Sequence, residues 1–161
     1  MKFLITGANG DIAISISRII KDEFKNSVVE GTDIIKEGPG EYLYKKIYKV
    51  PNPNNKNYLS QIKKVSRDHN VIIPTTENEI KFFSKNYNKF KKKIVLINSQ
   101  FIINTFSSKV KTYQFLKKNK FGVPNFCFKL NNLKNIKKSF FLKLENENGK
   151  KNYEFINSSK K

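Results

Sequence analysis

At 161 residues the chain has room for one ordinary domain, or for one domain and part of a second. Its net charge of +19 does not by itself indicate a specific nucleic-acid binder, because nearly all of it comes from lysine and base recognition favours arginine. The single cysteine, Cys127, excludes an intrachain disulfide, and no apolar run approaches the ~20 residues of a membrane span. We therefore expect a cytoplasmic protein without a membrane or a specific nucleic-acid partner.

The first predicted elements are an apolar strand over residues 2–6, the glycine turn Gly7-Ala8-Asn9-Gly10, and a helix that begins at Asp11. A strand that ends in Gly-x-x-Gly and leads into a helix often brings backbone N–H groups and a helix N-terminus to an anion. The same turn also suits a tight strand-to-helix connection that binds nothing, because glycine tolerates a positive φ. The turn alone does not decide between these functions.

Strands and helices continue to alternate as far as residue 99. We predict strands over 27–33, 70–74 and 92–99, a short aromatic-rich strand before residue 50, and helices over 58–68 and 76–84. Thr76 and Glu79 have the spacing of a helix-capping box. This β-α-β-β-α-β-α-β order predicts an α/β fold with a doubly wound parallel sheet, in which ligands gather at the carboxyl ends of the strands.

A different pattern follows residue 99. We predict helices over 99–106 and 107–119, a Gly-Val-Pro turn and a strand within 121–130, strands over 140–145 and 152–158, a lysine-rich helix or turn over 133–138, and a hairpin loop over 146–151. We expect the boundary between two domains, 1–104 and 105–161, near this change of pattern.

Five stretches, in this order, resemble a known family: "FLITGANGDIA", "VEGTD", "VIIPTTENEI", "SSKVKTYQFLKKNKFGVPNFCF" and "FFLKLENENGKKNYEFINS". Together they resemble the N-terminal part of an ATP-grasp ligase of the carbamoyl-phosphate-synthase-like and carboxylate–amine ligase branch. The resemblance implies a Rossmann-like pre-ATP-grasp domain over 1–104 and the start of an ATP-grasp α+β subdomain over 105–161. It also implies ATP and Mg²⁺ as cofactors.

In proteins of this kind two basic residues bind the nucleotide phosphates, and the matching positions here are Lys109 and Lys143. Lys143 lies in an apolar strand, where burial would be unfavourable without an anionic partner such as a triphosphate. An edge strand with Lys143 facing water is the alternative. Lys109 is equally compatible with a solvated helix residue.

The substrate-binding residues are expected at the carboxyl edge of the first sheet, and the substrate is expected to be a small carboxylate or amine. The candidates are Gly7, Gly10, Asp33, Thr76 and Glu77. Asp33 ends the second predicted strand and should lie near the glycine turn. The alternative for Asp33 is a capping role in the loop that follows it.

The sequence departs from the family in two respects. The loop that would cover the phosphates contains only Gly149 as a small residue, and the family's Mg²⁺-binding residues would follow Lys161. We therefore expect the chain alone to be catalytically incomplete, and an enzyme only if a C-terminal part completes it. We also expect residues 105–161 to associate with a second copy of the chain or with a separately encoded C-terminal partner.

Two functions from other classes compete with this interpretation. The stretch "TGANGDIA" also resembles the cofactor turn of short-chain NAD(P)-dependent reductases, with Asp33 as the ribose-binding acid. Tyr-x-x-x-Lys pairs of the kind such reductases use occur at Tyr87 and Lys91 and at Tyr42 and Lys46. The third candidate is a non-catalytic protein that binds partners through its basic surface.

Overall fold

The computed structural model describes residues 1–128, 139–143 and 153–156. The chain divides into two compact units, Met1–Gln100 and Phe101–Lys161. Within the described ranges, every helix is too short or too polar to cross a bilayer.

The first unit is built on a five-stranded sheet in which all neighbouring strands are parallel. Its strand order is β3-β2-β1-β4-β5, with β1 at Lys2–Thr6, β2 at Val28–Asp33, β3 at Ile47–Lys49, β4 at Val71–Pro74 and β5 at Ile94–Val95. The order changes direction next to β1, so the switch point of the sheet lies between β1 and β4. The predicted doubly wound α/β fold is confirmed.

Helices cover both faces of this sheet, and the alternation of side chains along β1 separates the two core layers. Phe3 and Ile5 belong to the core that includes Ala13 and Ile20 of helix α1 (Asp11–Glu23). Leu4, between them, belongs to the core on the opposite face. The elements of that second core are α2 (Tyr58–Val65), α3 (Glu77–Asn86) and a short 3-10 helix (Tyr87–Phe90).

The last strand of the sheet is shorter than the sequence predicts. We expected a strand over 92–99, but β5 contains only Ile94 and Val95. This strand lies at the sheet edge, and Ile94 and Leu96 are 56% and 52% exposed. Burial stabilises the apolar residues of an edge strand only slightly. The length of the apolar run therefore overstates the length of β5.

The second unit contains α5 (Lys109–Lys118) and a hairpin formed by β6 (Phe140–Lys143) and β7 (Tyr153–Ile156); α4 (Gln100–Phe106) begins at the boundary. Residues 121–128 form no strand, so the strand predicted with the Gly-Val-Pro turn is wrong as far as residue 128. Pro124 lacks the N–H that a sheet ladder requires. The predicted helix or turn over 133–138 and the loop around Gly149 lie outside the described residues.

Candidate functional site

The turn between β1 and α1 depends on one glycine conformation. Gly7 has a φ of +65°, which L-residues with a side chain rarely adopt. The N–H of Gly10 donates to the carbonyl of Gly7 at 2.9 Å and closes the turn. Gly10 is the N-cap of α1, with an ordinary φ of −81° and no side chain that could cap the helix. The conformational requirement for glycine therefore rests on Gly7.

Gly7 also lies against the turn between β4 and α3. A Cβ atom on Gly7 would lie 2.6 Å from Cγ2 of Thr76 and 2.9 Å from Oγ1 of Thr75. The Thr75 hydroxyl donates to the carbonyl of Thr6 at 2.6 Å and joins the two turns. The structure thus brings Gly7 and Thr76 into contact at the carboxyl edge of the sheet.

Asp33, at the end of β2, lies at the same turn, as the sequence predicts. Its Oδ2 accepts a hydrogen bond from the N–H of Asn9 at 2.9 Å. Its Oδ1 accepts from the N–H groups of Ile34 at 2.7 Å and Ile35 at 3.4 Å. Both carboxylate oxygens therefore bind backbone, and Asp33 caps its own loop while it holds the glycine turn.

Asn9 is a residue of this site that the sequence did not single out. Its amide nitrogen donates to the carbonyls of Ile35 at 2.9 Å and Glu37 at 3.4 Å, and its amide oxygen accepts from the N–H of Gly40 at 3.1 Å. The loop over 34–40 is thereby bound to the glycine turn. An asparagine in a turn commonly bonds local backbone, so its position gave no signal of contacts more than 25 residues away.

The predicted capping box at the start of α3 is present in modified form. The N–H of Glu79 donates to Oγ1 of Thr76 at 3.4 Å, and the Thr76 hydroxyl donates to Oε2 of Glu79 at 2.7 Å. The Glu79 carboxyl is buried, at 4% exposure, and its Oε1 accepts from the hydroxyl of Tyr58 at 3.1 Å. Burial raises the pKa of Glu79, although the hydroxyls of Thr76 and Tyr58 oppose the shift.

Glu77 occupies the first turn of α3 with a partly exposed side chain. Its carboxylate forms an ion pair with Nζ of Lys81, one helical turn further on, at 2.5 Å. Thr76, beside it, is exposed. Glu77 is therefore a carboxylate at the edge where Gly7, Asp33 and Thr76 meet.

The two predicted phosphate-binding lysines belong to the second unit. Lys109 is the first residue of α5, and the preceding Ser108 caps that helix by accepting from the N–H of Lys111 at 3.2 Å. Lys143 ends β6 with an exposed side chain, so the argument that its burial demands an anion does not hold. Lys143 faces water, as in the alternative that the sequence left open.

A second polar cluster is buried within the sheet. Oε2 of Glu30 accepts from the hydroxyl of Tyr48 at 3.0 Å and lies 3.0 Å from Nε2 of His69. Burial lowers the pKa of His69, against the opposing effect of the Glu30 carboxylate. This cluster connects strands inside the first unit and does not contribute to the carboxyl edge.

The described ranges do not provide a metal site. Over residues 1–128, 139–143 and 153–156, three or more histidine, cysteine, aspartate or glutamate side chains are nowhere grouped so that they could hold an ion. The carboxyl edge can bind and orient a small polar molecule through backbone N–H groups, the Thr76 hydroxyl and the Glu77 carboxylate.

The burial of Glu79 gives a pH-dependent prediction. Because its pKa is higher in the folded than in the unfolded chain, its protonated form favours folding, and this contribution is lost as the pH rises through the folded-state pKa. We expect Glu79→Gln to be more stable than the wild type at neutral pH, and the difference to shrink toward about pH 4. Urea denaturation across this pH range measures the difference.

The control for that experiment is Glu41→Gln, which makes the same charge change at an exposed position. If Glu79→Gln and Glu41→Gln shift the stability curve equally, the effect comes from net charge and the burial argument is wrong. The hydroxyls of Tyr58 and Thr76 can turn to accept from the new amide, so the polar contacts are retained.

Comparisons with known proteins find similar chains and similar folds. The family model "PylC-like, N-terminal domain" matches residues 3–97. The N5-carboxyaminoimidazole synthetase of Staphylococcus aureus, solved with ADP, has a TM-score of 0.73 at 15% identity over 97% of this chain and 41% of its own. The N5-carboxyaminoimidazole ribonucleotide synthetase of Thermotoga maritima has a TM-score of 0.65 at 14% identity, with the same coverages of 97% and 41%.

A third solved structure, the phosphoribosylaminoimidazole carboxylase ATPase subunit of Aquifex aeolicus, has a TM-score of 0.58 at 13% identity over 98% of this chain and 42% of its own. The chain thus spans about two-fifths of the length of these structures. Sequence identities as low as these establish a likeness in fold alone. A sequence comparison with curated proteins finds no match.

Proposed function

Because the chain belongs to the PylC-like N-terminal domain family, we propose that it forms the substrate-binding side of an ATP-grasp carboxylate–amine ligase. The likeness in fold to N5-carboxyaminoimidazole ribonucleotide synthetases supports this branch over the carbamoyl-phosphate-synthase branch. The rest of the enzyme's cleft would come from a part equivalent to the uncovered three-fifths of those structures.

The observation that carries the proposal is the meeting of three turns at one edge of the sheet. Gly7 contacts Thr76, and Asp33 binds the N–H of Asn9, so the turns after β1, β2 and β4 form one surface. On that surface the N-terminus of α1 favours a carboxylate, and the Glu77 carboxylate favours an amine. A substrate with a carboxylate or an amine fits this pair of groups.

ATP is the proposed co-substrate, with its phosphates bound by Lys109 and Lys143. The ADP bound in the Staphylococcus aureus neighbour supports nucleotide use, and the two lysines occupy the basic positions of the family resemblance. Lysine acts on phosphate as a point charge, which does not require burial.

The reductase alternative is not favoured. Three backbone N–H groups already donate to the Asp33 carboxylate, and the Asn9 hydrogen bonds hold the 34–40 loop on the turn. Little acceptor capacity is left for the two hydroxyls of a ribose. Tyr42 is 92% exposed, and Tyr87 begins a short 3-10 helix that follows α3. Tyr87 thus lies beyond the C-terminal end of α3, whose N-terminus is at the carboxyl edge. A purely non-catalytic protein that binds partners through its basic surface is likewise not favoured, because the chain belongs to the PylC-like N-terminal domain family.

Ligand titration followed by amide NMR tests this function. We expect N5-carboxyaminoimidazole ribonucleotide, added to the full chain, to shift the amide signals of Gly10, Thr76 and Glu77 in a saturable manner. Saturable binding of NADPH that Gly10→Asp abolishes would contradict the proposal. A Glu77→Gln variant should weaken the binding of ligands that carry an amine more than the binding of ligands that carry only a carboxylate. The Glu41→Gln variant, which makes the same charge change at an exposed position, should not discriminate between the two kinds of ligand.

We further propose that the β6–β7 hairpin associates with a second copy or with a separately encoded partner. The ring centroids of Phe141 and Phe155 lie 5.0 Å apart across the hairpin in a tilted arrangement, and the two side chains are 62% and 54% exposed. An isolated two-stranded hairpin is marginally stable in water. We expect residues 140–143 and 153–156 to exchange amide hydrogens rapidly in dilute protein and slowly on association. Concentration-independent protection equal to that of residues 71–73 in β4 would contradict this.

A further inference from the structure

A groove of about 1010 Å³ opens at the amino ends of β4 and β5, opposite the edge that carries the candidate site. The C-terminal end of α2 and the segment that follows it form one wall, through Lys63 and Arg67. Residues 88–93, which lead into β5, form the other wall. The N–H of Ile94 donates to the carbonyl of Asn70 at 3.0 Å and joins the two sides at the floor.

The lining of the groove is far more cationic than the chain as a whole. Six of its thirteen lining residues are lysine or arginine, against 32 of 161 in the sequence, and Asp68 is its one acidic residue. The carboxyl edge, in contrast, holds Asp33, Glu77 and Glu79. An anion approaching the first unit is therefore attracted to the groove.

The groove has a structured floor. Nζ of Lys93 donates to the carbonyls of Arg67 at 2.7 Å and His69 at 2.8 Å, which holds the two walls together. Lys63, Lys91 and Lys92 are exposed around this floor. Several mobile ammonium groups thus surround one preformed concave surface.

We propose that this groove binds inorganic polyphosphate. Several ammonium point charges around one groove match an anion with many phosphates, whereas one or two would suffice for a single phosphate. Single-stranded nucleic-acid sites combine a cationic groove with aromatic platforms for the bases. The aromatic residue of the lining, Phe90, is 4% exposed and offers no such platform. The proposal is independent of the ligase function, because the groove lies at the opposite edge of the sheet.

Isothermal titration of the full chain with short-chain inorganic polyphosphate tests this site. The groove variant replaces Lys63, Lys91 and Lys92 with glutamine, and the matched control replaces the exposed Lys21, Lys36 and Lys45 with glutamine. At about 0.15 M salt we expect the groove variant to lose affinity by on the order of tenfold, and the control by less than about twofold. The slope of the logarithm of affinity against the logarithm of salt concentration should become shallower by about two units in the groove variant, but not in the control.

Equal losses in the two variants would overturn the proposal, because they would assign binding to the net charge of the whole surface. Binding of poly(U) RNA more tightly than polyphosphate at equal phosphate concentration, with the same loss in the groove variant, would assign the groove to nucleic acid and overturn the proposed ligand. Circular dichroism checks that the variants fold. The single variant Lys91→Gln, at an exposed position, provides the same comparison with Lys36→Gln if the triple variant does not fold.

Discussion

Replacement of Gly7 with alanine is expected to lower the free energy of unfolding by about 3 kcal/mol, as measured by urea denaturation. Part of the loss comes from the φ of +65°, which is unfavourable by about 1–2 kcal/mol for an L-residue. The rest comes from crowding, because the new Cβ would lie 2.6 Å from Cγ2 of Thr76. Relief of that contact requires the β1 and β4 turns to separate, so ligand-induced shifts at Thr76 should also weaken.

The control for this prediction is Gly10→Ser. Gly10 has an ordinary φ, and a Cβ there would meet only the carbonyl oxygen of Gly7 at 3.3 Å. Serine is also a better N-cap than glycine, so we expect a change within about 1 kcal/mol. Equal losses at Gly7 and Gly10 would contradict the assignment of the conformational requirement to Gly7.

Replacement of Asp33 with alanine is expected to lower the free energy of unfolding by about 2 kcal/mol. The change leaves the N–H groups of Asn9 and Ile34 without their carboxylate acceptor. Asp33→Asn should be intermediate, because one oxygen becomes an NH₂ group that faces a backbone donor. Hydrogen exchange should accelerate at the amides of Asn9 and Ile34 in both variants.

Asp22→Ala removes a carboxylate from an exposed position on α1 and is the control for Asp33. We expect it to change stability by less than about 0.5 kcal/mol. If Asp33→Ala is as mild as Asp22→Ala, the carboxylate does not hold the glycine turn. In that case Asp33 would again be a candidate for direct ligand contact.

The resemblance to the N-terminal part of an ATP-grasp ligase, drawn from five short stretches, is confirmed at the level of family and fold. It depended on the order of elements, which local patterns define well in the first unit. Val71–Pro74 is a continuous apolar run of the kind that a parallel sheet buries on both faces, and it forms β4. Thr76 and Glu79 define the start of α3 through a contact three residues apart.

The sequence by itself thus determined the strands, helices and turns of the first unit, because these depend on side-chain periodicity and on contacts between near neighbours in the chain. It also placed Gly7, Asp33 and Thr76 at strand ends, and parallel strands bring such ends to one edge. It overstated β5, and the strand predicted with the Gly-Val-Pro turn is absent as far as residue 128, because strand formation depends on a partner strand that periodicity does not reveal.

Only the tertiary structure decided how these residues are used. Asn9 binds the 34–40 loop, the Glu79 carboxyl is buried against Tyr58, and Lys63 and Lys91 share one groove. Each of these contacts joins residues more than 20 positions apart, and side-chain type does not specify which distant backbone or side-chain group will be adjacent. The structure also exposes Lys143, whose apolar neighbours in sequence had suggested burial. A side chain's environment is set by the elements that pack around it, and the free energy of burial and hydrogen bonding follows that environment.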